Sequence, residues 1–158
     1  MSQTLSHSVS TTGQSLPVDP SSRDWLSYAL IASGAFWALL GVGLGAFGAH
    51  GLKDALAANE SAQTWRTAVS YQMTHALALL IVGALALVPK ARRGPWLTLG
   101  CLWEFGILAF SGSLYWLALD GPRWLGPITP LGGVAFILGW GLLLVWALRR
   151  CLTDKSFN

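Results

Sequence analysis

An all-α, integral-membrane four-helix bundle is the fold this sequence predicts, and three observations predict it. Hydrophobic residues make up 53% of the 158 positions and charged residues only 11%, against about 25% charged in an ordinary soluble domain. A soluble core of this size could not hide so much apolar surface, so lipid is the fitting solvent. Four apolar runs stand out, at about 26–49, 69–88, 96–119 and 131–148, each near the length of about 20 residues that crosses a bilayer as a helix.

Taken in order, residues 1–25 form a Ser/Thr-rich tail that begins "MSQTLSHSVSTTGQSLPVDPSS" and has no apolar period. It is expected to be disordered. It has neither the charged start nor the apolar centre of a secretory signal, and it lacks the arginines of a mitochondrial transit peptide. The four spans then occupy a transmembrane domain over 26–150, and residues 151–158 make a short tail. The connector "HGLKDALAANESAQTWRTA" has room for a short surface helix with Leu52 and Leu56 one turn apart. "PKARRGP" is the second connector, and "DGPRWLGPITP" ends on Thr129 and Pro130, which read as a helix cap followed by proline at the first helical position.

Orientation follows from the cations. Arg23, Lys90, Arg92, Arg93, Arg149, Arg150 and Lys155 lie on one side, and Lys53, Arg66 and Arg123 on the other. This bias predicts that the N-terminus and the C-terminus are both cytoplasmic. Trp25, Trp96 and Trp146 then fall at the inner interface and Trp65, Trp116 and Trp124 at the outer one, as aromatic belts would. Cys101 and Cys151 show neither a pairing framework nor CxxC spacing and read as buried free thiols. No basic patch interleaved with aromatics points to nucleic acid.

The first span carries "GAFWALLGVGLGAFGAHG", glycine-rich yet uncharged. At 100° per residue, Gly34, Ala38, Gly41, Gly45 and Gly48 share an arc of about 80°. Such a seam of small residues lets helix backbones approach closely in lipid. Its partner is either another helix of this chain or a second copy. Gly132 and Gly139 offer a similar notch in the fourth span.

Intramembrane polar groups are expensive and tend to face a bundle interior. Tyr71, Gln72 and His75 occupy one arc of the second span, while Gly100, Glu104, Ser111 and Tyr115 share a face of the third. His75 falls about 9 Å and Ser111 about 12 Å below the outer ends of their spans, and His50 sits at the outer end of the first. The expectation is one polar cluster of His50, Tyr71, Gln72, His75, Ser111 and Tyr115 near the outer surface. It reads as a structural hydrogen-bond network, with a small-molecule site as the alternative. Two histidines are too few ligands for zinc, and a tight bundle leaves no evident slot for haem, so neither metal nor cofactor is expected. Glu104 reads as a neutral carboxyl hydrogen-bonded inside the bundle, with Ser33 or Trp146 at its depth; a proton pathway would need titratable neighbours that the sequence does not supply.

There is no nucleophile elbow, phosphate loop or pair of carboxylates, so no catalytic residue is assigned. The expected function is non-enzymatic: a helix-packing accessory or assembly subunit, with the bilayer and either a second copy or a larger membrane complex as partners. The alternative is a small transporter or ligand-binding protein.

"LGAFGAHGLK" (44–53), "TAVSYQMTHALAL" (67–79), "FSGSLYWLAL" (110–119) and "ITPLGGVAFILGW" (128–140) together resemble the signature stretches of the membrane proteins known as domain of unknown function 423. His50, Tyr71, Gln72, His75, Ser111, Ser113, Tyr115 and Pro130 fall on those stretches; Glu104 does not. The resemblance implies a four-span protein of the bacterial inner membrane and supplies no activity.

Overall fold

The computed structural model describes residues 24–91 and 94–154, with Lys90 and Asp154 described by their backbone only. Residues 1–23 of the expected N-terminal tail, the cations Arg23, Arg92, Arg93 and Lys155, and the end of the C-terminal tail lie outside these. Among the described residues, four helices are long and apolar enough to cross a membrane.

The first, α1 (Asp24–Ala49), runs unbroken through the glycine-rich stretch. Glycine weakens a helix mainly through backbone entropy and exposure to water; in lipid the backbone must bond to itself, and the helix persists. A short α2 (Lys53–Ala58) follows and buries Leu56 against Trp65 and Ala118. The second span, α3 (Ala62–Leu87), begins seven residues before the apolar run at 69. Polar Gln63, Thr64, Arg66 and Thr67 carry the helix beyond the apolar stretch, because helix formation does not require apolar side chains. The hydroxyl of Ser61, just before α3, donates to the Ala118 carbonyl at 2.6 Å and ties this end to the third span.

The third span has three parts. α4 (Trp96–Gly106) passes through a π-helical turn, Ile107–Ser111, into α5 (Gly112–Ala118). Asp120 closes it at a φ of 60°, and the Gly121 N–H returns to the Trp116 carbonyl at 2.8 Å, an end motif that the left-handed residue permits. The fourth span, α6 (Ile128–Asp154), starts before Thr129. Thr129 therefore lies inside the first turn, and its hydroxyl pairs with Ser113 at 2.7 Å rather than serving as the expected cap.

α1 lies along α3, α3 also packs on the third span, and α6 lies along α4 and the π turn. Lipid offers no hydrophobic drive between helices, so close packing has to hold them. The seam faces α3, within the same chain. A Cβ on Gly34 would stand 2.7 Å from the Ala76 carbonyl oxygen and 2.9 Å from the Leu80 nitrogen. α3 returns the contact at Gly83, where a Cβ would meet the Ile31 nitrogen and the Ser27 oxygen at 3.0 Å. Gly41 accommodates the Met73 side chain and Gly48 the Trp65 ring, whereas Gly45 has only an ordinary contact with Val69 at 3.5 Å. Ala38 is partly buried, and Gly43, on the opposite face, has no neighbour within 4 Å.

Two expectations about side chains change. Trp65 and Trp96 are buried, at 4% and 3% exposure, so neither is a belt residue. Their indole N–H groups reach carbonyls of Leu44 and Ala91, both at 3.0 Å, and Trp96 packs on Trp146. Cys101 and Cys151 are free but exposed rather than buried.

Candidate functional site

The polar side chains of the spans form two small groups in the interior. One centres on Gln72, 1% exposed. Its amide nitrogen donates to the Trp37 carbonyl of α1 at 2.9 Å, and its amide oxygen accepts from the Tyr115 hydroxyl of α5 at 2.9 Å. Trp37 is the pivot, because its indole N–H also reaches Glu104 Oε2 at 3.4 Å. The Ser33 hydroxyl donates to the other oxygen of Glu104. Ser33, Glu104, Trp37, Gln72 and Tyr115 thus link three spans in one chain of contacts. Ser33 was among the expected partners of Glu104; Trp146 instead packs on Trp96.

The other group centres on His75, 3% exposed. Its ring lies flat on Phe136 of α6, with centroids 3.4 Å apart and an interplanar angle of 9°. The indole N–H of Trp140 donates to His75 Nε2 at 3.0 Å. An indole can only donate, so Nε2 is the acceptor and Nδ1 carries the hydrogen shared with the Tyr71 carbonyl at 2.8 Å. Tyr71 packs its ring on Phe110 at 4.5 Å and remains 44% exposed.

The expected single cluster is therefore divided. Gln72 and Tyr115 do meet, but His75 finds Trp140 and Phe136. Ser111 is fully buried, and its hydroxyl has no hydrogen-bond partner among the described residues. His50 is exposed at the end of α1. The contacts Leu44–Trp65 and Trp37–Gln72 set the register of α1 on α3. They place His75 level with about residue 34, about 24 Å along the axis from His50 at 1.5 Å per residue. The expected outer-surface depth failed because α3 starts at Ala62, which sinks His75 toward mid-membrane. Among the described residues, no three His, Cys, Asp or Glu side chains come together as a set for a metal ion.

Sequence reasoning did not identify Trp37, Phe136 or Trp140. Trp37 acts partly through its carbonyl, which carries no side-chain signal, and the other two are aromatic residues in an apolar run. The π turn lies beside them: Gly106, just before it, takes the Phe136 ring, and Gly132 of α6 sits against the backbone of Phe110 within it. π turns in helices often mark functional sites.

Fold and site define a small four-span helical membrane protein in which Gln72, His75 and Glu104 are bonded to other helices. The family described as "Protein of unknown function (DUF423)" matches residues 44–133. A "UPF0382 membrane protein" of Staphylococcus epidermidis is 47% identical over 119 residues, covering 75% of this chain and 94% of the relative. The UPF0382 membrane protein YwdK of Bacillus subtilis is 49% identical over 119 residues, covering 75% and 95%. The chain belongs to this family of uncharacterised membrane proteins. No solved structure matches it.

Proposed function

We propose that the chain is a non-enzymatic helix-packing protein of the bacterial plasma (inner) membrane, with both termini in the cytoplasm, acting as an accessory or assembly subunit of a larger membrane complex. One observation carries this reading: Gln72, Glu104 and His75, the strongly polar side chains deep within the spans, are spent on helix-to-helix bonds. Gln72 joins α3 to α1 and α5, Glu104 joins α4 to α1, and His75 joins α3 to α6. Groups so engaged hold helices together and are not free to activate a nucleophile or line a transport path. The outer faces of α1 and α6 keep large apolar residues exposed, among them Leu39 at 73% and Ile137 at 71%, available to lipid or to another helix.

Extraction in a gentle detergent followed by native mass measurement tests the accessory role. It predicts a particle heavier than one chain, either an oligomer or a complex with another protein. A strictly monomeric particle with nothing co-purifying would contradict it. Topology is tested separately. Reporters after residue 158 and within 54–64 should give opposite compartment signals, as the cation bias requires.

A further inference from the structure

The seam between α1 and α3 loosens at Gly45, although at Gly48 the Trp65 ring closes it again. At Gly34 the two backbones touch, but at Gly45 the nearest neighbour of a Cβ stands at an ordinary 3.5 Å. A cleft of about 350 Å³ opens there, between the end of α1, α2 and the start of α3. Its volume lies within the roughly 300–1,000 Å³ of small-molecule sites. The walls are divided by chemistry. Gly45, Gly48, Leu56 and Val69 make an apolar floor, while Lys53, Arg66 and Ser70 supply a rim of two cations and a hydroxyl. Lys53 and Arg66 are exposed and make no ion pair with any described residue. The nearby acids Asp54 and Glu60 do not line the cleft. Lys53 opens α2 and Arg66 lies one turn into α3, so both stand at the end of the bundle, at the level of lipid headgroups.

We infer that this cleft binds an anionic phospholipid of the surrounding leaflet, with the phosphate between Lys53 and Arg66 and the start of an acyl chain over the apolar floor. The charge of the rim selects the phosphate and the floor selects an amphiphile. Cations near a membrane surface attract anionic lipid, and a guanidinium adds two-pronged phosphate geometry.

The test uses the full chain, delipidated in detergent and returned to phosphatidylglycerol or phosphatidylcholine, with retained lipid read by native mass spectrometry. Phosphatidylglycerol should be preferred about twenty-fivefold, since each near-surface cation contributes about fivefold. The double variant Lys53→Gln, Arg66→Gln should lose that preference, and Lys53→Arg, Arg66→Lys should keep most of it. Both positions are exposed, and an unchanged melting temperature will show that the variants fold. Equal retention of the two lipids would overturn the inference, as would undiminished preference in the double variant. Retention of inorganic phosphate by the delipidated chain, with neither lipid retained, would also overturn it by assigning the rim to a soluble anion.

Discussion

Where α1 meets α3, backbone lies against backbone, with a carbonyl and an amide of α3 occupying the space a side chain on Gly34 would need. Where the third span meets α6, rings fill much of the space that glycine leaves: Phe136 lies on Gly106 and Trp103 on Gly139. The first junction is a row of small residues at spacings of four and three. The second sets rings into notches, with His75 stacked among them. Glycine makes room in both, but what enters differs, and so does the tolerance to change. A neighbouring backbone cannot move aside, whereas a side chain can rotate. The comparison assigns each glycine a sensitivity according to what touches it rather than how buried it is.

The largest effect is expected where the second junction departs from its own pattern. A side chain on Gly132 would strike the backbone of Phe110, while its neighbour Gly133 sees only the Phe110 ring at 3.7 Å. Gly132→Leu should cost about 3 kcal/mol or prevent folding, as overpacking does, and Gly133→Leu should cost far less. Comparable melting temperatures in detergent for the two variants would remove the backbone contact from the account.

The ring-filled junction is sharpened by His75→Ala. It removes the stack on Phe136 and leaves the Trp140 N–H without its acceptor. A loss of about 2 kcal/mol is expected. Little further loss is expected when Trp140→Phe is added, because both substitutions break the same bond. Additive losses would show that the two side chains act separately.

Gln72→Leu should cost less, about 1 kcal/mol, the scale of hydrogen bonds between helices in membranes. A double-mutant cycle with Tyr115→Phe should return a coupling of about 0.6 kcal/mol. Zero coupling would break the link between α3 and α5. Smallest of all is Glu104→Gln, expected to shift stability by less than about 0.5 kcal/mol. An amide oxygen still accepts from Trp37, and its nitrogen can donate to Ser33. Loss of the folded protein would show that the acid itself is required.

The four spans and the face on which the seam lies could be read from the sequence, which also named Ser33, beside Trp146, as a partner for Glu104. Long apolar runs, a row of small residues and an isolated carboxyl are features that the chain itself displays. The positions of Trp65 and Trp96 could not be read, because in lipid the core and the outer surface are both apolar. An apolar stripe that would reveal the buried face of a soluble helix is therefore missing. The π turn at Ile107–Ser111 has no compositional mark beyond its flanking glycines. The depth of His75 was missed through one boundary: starting α3 at the apolar run rather than at Ala62 raised it by about 10 Å toward His50. A cluster joined by depth and shared helix faces then came apart.

The central claim, that α1 is held to α3 by glycines according to what faces each, is tested most directly by adding one methyl group at a time. Alanine replaces Gly34, Gly41, Gly45 and Gly43 in turn, and each variant is melted in the same detergent. The largest drop is expected for Gly34→Ala, against the backbone of α3, and a smaller one for Gly41→Ala, where Met73 can move. Gly45→Ala should change little, and Gly43→Ala should be neutral or raise the melting temperature through better helix propensity. Equal melting temperatures across the four, or a drop at Gly43 as large as at Gly34, would contradict it.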